Sequence, residues 1–309
     1  MAKKKTGGNS MKKILSGIIL GLMAGFLMVT VFVVMLGSVA MLDVFKEDCV
    51  AIVPIEGTIS TESASPGLFG GGTTGSGELT ALLKEADERD EVKAIVVYVN
   101  SGGGGVVASR EIYDAVSELE KPTVGYIREV GASGGYYAIT DSDYIISSPE
   151  ALTGSIGVIA TVQDMSKTFE MLGINNTNFV SGEHKDMGSP DRPMTEEEKE
   201  IMQGIADEVF LSFKTAVLDG RGGKLDMTRE SEIFDGRIMT GLQAKDYGLI
   251  DETGSKQDAI RKAAELSGME YDGEPNVCVL SPEKDFWSEV FSSALSGVGI
   301  SSNSRVRIE

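Results

Sequence analysis

From Ile14 to Leu42 the chain runs for 29 residues without a charged side chain, interrupted by no more than small polar residues such as Ser16, Thr30 and Ser38. Roughly 20 helical residues span the hydrocarbon core of a bilayer, so this stretch is expected to form a transmembrane helix. Lys3, Lys4, Lys5, Lys12 and Lys13 precede it, and Asp43, Glu47 and Asp48 follow it. That asymmetry predicts a cytoplasmic N-terminus and a cell-membrane protein whose remainder lies on the outer side. Ser38-Val39-Ala40 has the small residues of a signal-peptide cleavage site, but a cleavable signal has an apolar core of only about 7 to 15 residues. An uncleaved, single-pass anchor is the expectation. The chain then divides into a basic tail (1–13), a signal-anchor helix (14–42), an extracytoplasmic domain (43–270) and a C-terminal extension (271–309) with no assignable role.

Charge narrows the possible partners. With 28 basic against 47 acidic residues the net charge is −19, which opposes binding to a phosphate backbone, and nucleic acid is not expected as a partner. Cys49 and Cys278 lie 229 positions apart and lack the close pairing of structural zinc ligands, so no metal is implied. Each falls in a strand-like run, CVAIVPI and NVCVL. The expectation is two buried thiols, with a single disulfide as the alternative.

Past the anchor the hydrophobic period alternates. CVAIVPI (49–55) and KAIVVYV (93–99) are short, apolar, β-branched runs typical of buried strands. Between them lies a Gly/Ser/Thr-rich loop (57–77), followed by ELTALLKEADERD, which sets Leu79, Leu82, Leu83 and Ala86 on one helical face. The pattern continues with a helix near Val106 to Leu119, a strand PTVGYI, a helix opening near Ser133, a strand DYIISS and a strand NTNFVSG. A long helix is expected from Thr195 to about Leu218, opened by Thr195 and Glu198 at capping-box spacing. Strands alternating with helices predict an α/β domain whose mostly parallel sheet is covered on both faces.

Three glycine-rich stretches could carry chemistry. NSGGGG (100–105) follows a strand and precedes a helix, where bare amides can face a phosphate or an oxyanion. It lacks the GK[ST] ending of a P-loop and the spacing of a dinucleotide fingerprint. GASGG (131–135) satisfies G-x-S-x-G in a strand-to-helix context, which suits a nucleophilic Ser133 with the Gly134 amide beside it. SGEHKDMG (181–188) holds the single histidine, His184, followed by Lys185. If the strand NTNFVSG continues through it, Phe179, Ser181, Glu183, Lys185 and Met187 share one face and His184 the other. Either residue could then serve as base to Ser133. His184 would need an orienting acid such as Asp143 or Asp164. Lys185 would need burial to be neutral, since a free lysine titrates at about 10.4.

Five runs stand in the order and at the distances of one known family: VYVNSGGGGVVASREI, GASGGYYAIT, SPEALTGSIGVI, SGEHKDMGSPDRPMTEEEKEIMQ and DGRIMTGLQAKDYGLIDE. Through them residues 48 to 268 resemble the bacterial and archaeal signal peptide peptidase A family. The resemblance implies the Clp protease/crotonase-like fold of repeated ββα units and a serine endopeptidase with a serine/lysine dyad. Carried across by motif, Ser133 is the nucleophile, Lys185 the general base, and Ser155 in TGSIGV the residue that orients the base. The oxyanion hole falls on the Gly104 amide, with Gly103 beside it, and on that of Gly134. No cofactor is implied. The implied substrates are cleaved signal peptides and other short unfolded peptides. The chain matches the short, single-copy form of the family, which assembles as a homo-oligomer, an octameric dome in which Ser133 of one subunit meets Lys185 of the next. Where the family usually has proline in NSPGGG, this chain has Gly102. Two other readings remain: an α/β-hydrolase-type esterase using Ser133 and His184, and a non-catalytic membrane scaffold of the same fold.

Overall fold

The computed structural model describes residues 25–30, 32, 47–63 and 72–280. Residues 25–30 and 32 are helical, and no helix among the described residues is long and apolar enough to cross a membrane. The rest of the expected anchor, part of the 57–77 loop and residues 281–309 lie outside the described residues.

From Asp48 onward the described chain forms a unit of its own. Its strands β1 (Cys49–Ser60), β2 (Thr73–Gly75), β3 (Val92–Gly104), β4 (Thr123–Ala132), β5 (Tyr144–Ser147) and β8 (Glu252–Thr253) lie in the order β2-β1-β3-β4-β5-β8. Every neighbouring pair in that order is parallel. β6 (Leu152–Gly154) runs parallel beside the end of β4 and pairs antiparallel with β7 (Ile238–Thr240), while β9 (Val277–Val279) runs parallel to β1.

Alternation along β3 explains the two cores. Ile95, Val97 and Val99 face one side, packed under α1 (Ser76–Glu88), α2 (Val106–Ser117) and α5 (Glu196–Arg221); Ala94, Val96 and Tyr98 face the other, packed under α8 (Lys256–Ser267). A strand buried on both faces has no polar side to show, hence its near-continuous apolar run. α1 buries the expected Leu79, Leu82, Leu83 and Ala86. α5 opens with the expected capping box, the Glu198 amide donating to Thr195 Oγ1 (3.2 Å) and the Thr195 amide to Glu198 Oε2 (2.9 Å).

Two expectations are overturned. The run NTNFVSG forms no strand; residues 170–183 are exposed throughout, Phe179 by 95 %. Its alternating pattern suits a strand, but among the described residues no strand pairs with it, and a strand exists only where a neighbour accepts its hydrogen bonds. Similarly, Cys49 and Cys278 are joined in a disulfide rather than left as thiols. β9 pairs with β1 in the register Ala51↔Cys278, which brings the two cysteine Cα atoms to 5.6 Å, within bridging range.

Candidate active site

β4 ends at Ala132 and α3 (Gly134–Tyr137) begins one residue later, so Ser133 must turn the chain between them. It does so at φ 51°, ψ −124°. Such a conformation costs a non-glycine residue on the order of 1–3 kcal/mol and persists only where the surroundings impose it. Here they do. The Ser133 amide donates to the Gly154 carbonyl (2.9 Å), and its own carbonyl accepts from the amides of Tyr136 (3.0 Å) and Tyr137 (2.9 Å). Tyr136 is in turn buried and donates its hydroxyl to the Leu249 carbonyl (2.7 Å).

Two glycines are required by close approach. A Cβ on Gly134 would stand 2.2 Å from Ser109 Oγ and 3.2 Å from the Gly104 nitrogen. A Cβ on Gly103, whose φ is +97°, would stand 2.5 Å from the Gly134 nitrogen and 3.1 Å from Ser133 Cβ. The NSGGGG and GASGG stretches therefore meet beside Ser133, the Gly134 nitrogen packed against Gly103 and the Gly104 nitrogen against Gly134. The Gly103 amide is engaged elsewhere, donating to Ser101 Oγ (3.1 Å), which donates on to the Gly57 carbonyl (2.6 Å). This leaves Gly103 as a spacer that permits the approach. Gly102 is exposed, with nothing within 4 Å of where a Cβ would stand, so this departure from the family pattern does not disturb the elbow.

Ser155 joins the same place by strand pairing. Ala132 lies opposite Gly154 in the β4–β6 register, so Ser133 and Ser155 are the next residues on adjacent chains. Among the described residues these two serines are the non-glycine positions with positive φ, both 51°. The Ser155 amide donates to the Arg237 carbonyl (2.8 Å).

Lys185 stands apart. It lies in a turn, its amide bonded to the Gly182 carbonyl (3.1 Å), and its side chain is exposed. Among the described residues it has no side-chain hydrogen bond, to Ser133, Ser155 or any other group. His184 Nε2 lies 3.9 Å from Glu197 Oε1 at the start of α5. Neither acid expected to orient it bonds it: Asp143 accepts from the amide (2.7 Å) and hydroxyl (3.2 Å) of Thr123, and Asp164 from the amide (3.0 Å) and hydroxyl (2.6 Å) of Ser166. The single chain thus brings Ser133, the two glycine stretches and Ser155 together, and neither candidate base is bonded to them. Sequence reasoning passed over Arg192, which bonds both Asp186 beside Lys185 and Glu198 on α5; an arginine six residues from each of two acids was the available signal.

The profile of Peptidase family S49 matches residues 115–270. The chain belongs to that family. A Clp protease profile matches residues 73–154, which agrees with the parallel sheet and with the expected Clp-like α/β fold. Among S49 relatives, a protein of Synechocystis named "Putative protease" is 36 % identical over 205 residues, 65 % of this chain and 73 % of its own length. One of Methanocaldococcus jannaschii with the same descriptive name is 38 % identical over 190 residues, 61 % of this chain and 60 % of its own. A "Putative signal peptide peptidase SppA" of Enterococcus faecium is 37 % identical over 181 residues, 58 % and 52 %. The chain therefore spans between half and three quarters of these relatives. S49 membership upholds the resemblance drawn from the five sequence runs, and the α/β-hydrolase reading gives way to it.

Proposed function

We propose that the protein is a membrane-anchored serine endopeptidase that degrades cleaved signal peptides and other short unfolded peptides outside the cytoplasmic membrane. The observation that carries this reading is Ser133, held in a strained elbow packed against the glycines of both Gly-rich stretches. In the reaction, the Ser133 hydroxyl attacks the peptide carbonyl and passes its proton to a neutral Lys185 amine. The Gly104 and Gly134 amides stabilise the tetrahedral oxyanion, the protonated amine gives its proton to the leaving nitrogen, and water releases the acyl group by the same route. Ser155 holds the amine in line.

Lys185 comes from a neighbouring copy in a homo-oligomer, an octameric dome. Its exposure in the single chain supports this, as does the uncovered apolar surface of the same segment, with Ile159 92 % and Phe179 95 % exposed. A neighbour packed there would remove the amine from water, which favours its neutral form. The Cys49–Cys278 disulfide supports an extracytoplasmic domain, because such bonds persist in oxidising compartments.

Mixing inactive variants provides the test. Full-length Ser133→Ala and Lys185→Ala complexes in detergent should each lose peptide cleavage by at least about a thousandfold, and subunit exchange between them should restore activity. No recovery from demonstrably mixed complexes would rule out a shared site, and an active Lys185→Ala complex would remove the lysine from the mechanism.

A further inference from the structure

The segment leading into the Lys185 turn, residues 170–183, is exposed, and the turn itself is only half-buried. An ionic contact ties it to α5. Arg192 Nε donates to Asp186 Oδ2 (3.2 Å), Nη2 to Asp186 Oδ1 (2.6 Å) and Glu198 Oε1 (2.6 Å), and Nη1 to Glu198 Oε2 (2.8 Å) and the Pro193 carbonyl (3.2 Å). A guanidinium has five N–H groups in a fixed fork, and all five are placed. On the far side Glu198 is 2 % exposed and closes the capping box of α5, so the guanidinium is tied to the rigid start of a 26-residue helix.

We infer that Arg192 is a positioning residue for the peptidase reaction, locking the Lys185 turn to the first turn of α5 through Asp186 and Glu198. The inference rests on the reading of Lys185 as general base. Asp186 is the next residue after Lys185, so a fork that fixes its carboxylate fixes the backbone from which the amine extends. The contact has a second consequence. Glu198 is a buried carboxylate, costly unless paired, and its pKa is held down to about 2 by the Arg192 guanidinium and then by the Thr195 amide. Asp186 is also held below its usual range, chiefly by Arg192. Both acids therefore stay ionised at neutral pH and keep the guanidinium between them. Lysine cannot substitute, because a single ammonium carries three donors and no planar fork.

The test compares Arg192→Lys with the wild-type full-length complex in detergent, with Lys185→Ala alongside. An amine displaced by about an ångström costs up to roughly a hundredfold in rate. The expected result is an intact complex with KM within about twofold, kcat lower by roughly 10- to 100-fold, and the alkaline rise of kcat moved to higher pH as the loosened amine meets water. Asp186→Ala should show the same split while leaving the Arg192–Glu198 pair and the α5 cap in place, and decides the matter if Arg192→Lys does not assemble. The double variant should lose no more than the worse single one, as expected for two parts of one device. Unchanged kcat in an intact Asp186→Ala or Arg192→Lys complex overturns the positioning role. If Lys185→Ala stays active, it is the general-base reading that fails.

Discussion

The two halves of the proposed site are built in opposite ways. Ser133 sits at the end of a central strand, its conformation imposed by Gly154, Tyr136 and Tyr137 and by glycines packed without room for a Cβ. Lys185 sits in a segment without regular structure from 172 to 195, exposed, and held through Asp186 by one arginine. The contrast teaches that the single chain finishes the part that must be strained and leaves open the part that must be desolvated. Strain requires a dense surround, which a sheet end provides. In the proposed assembly, desolvation waits until a second copy arrives, so a lone chain is expected not to cleave peptides.

The largest effect should come from crowding the serine half. Gly103→Ala places a methyl group 2.5 Å from the Gly134 nitrogen at a φ of +97°, displacing an oxyanion donor. Activity should fall about 100-fold or more in a complex that still assembles, measured with a fluorogenic peptide; near-normal turnover would mean the Gly134 amide takes no part.

Next, core and segment substitutions should separate stability from assembly. Leu83→Ala, in the fully buried core under β1 and β3, should lower unfolding free energy by about 2–5 kcal/mol in denaturant titration. Phe179→Ser should leave it within about 0.5 kcal/mol yet reduce particle mass in light scattering. Equal stability losses for both would contradict the division between the halves.

A smaller loss is expected from Cys278→Ser. It frees β9 from β1 and removes a bridge closing a long loop, so stability should drop by about 2–4 kcal/mol, with reducing agent destabilising the wild type to the same extent. A reductant-insensitive Tm would argue that the bridge is not formed in the mature protein.

Acid should have the smallest effect, confined to the lysine half. Glu198 titrates at about 2 when folded against 4.5 ordinarily. The unfolded chain therefore binds this proton first, and the stabilisation from the Arg192 pair, complete above about 4.5, is lost as pH falls toward about 2. Amide exchange at the start of α5 should speed up across that window in the wild type and show no such step in Glu198→Gln.

Much of the serine half was legible in the chain. G-x-S-x-G after an apolar strand indicated an elbow, and NSGGGG indicated a bare backbone that another chain element could approach. What could not be read was that Ser101, which takes the Gly103 amide, would be anchored to the Gly57 carbonyl, because that second bond depends on the register of β3 against β1. The lysine half was read less well. The alternation of NTNFVSG is a genuine strand pattern, but a strand also needs a partner, and none was local. Arg192 was overlooked because its bonds follow from the fold of a turn rather than from any period.

By itself the chain determined what lies within a short window: the apolar faces of β3 and α1, the Thr195–Glu198 cap, and the places where glycine lets the backbone bend. Those depend on side-chain size and local hydrogen bonding, which neighbouring residues settle among themselves. Tertiary structure alone decided that Cys278 would lie against Cys49, that Ser155 would stand beside Ser133, and that Lys185 would face outward. The first two depend on how strands far apart in sequence align, where a shift of one residue would turn every side chain to the opposite face, and the third on a turn that no strand pairs with.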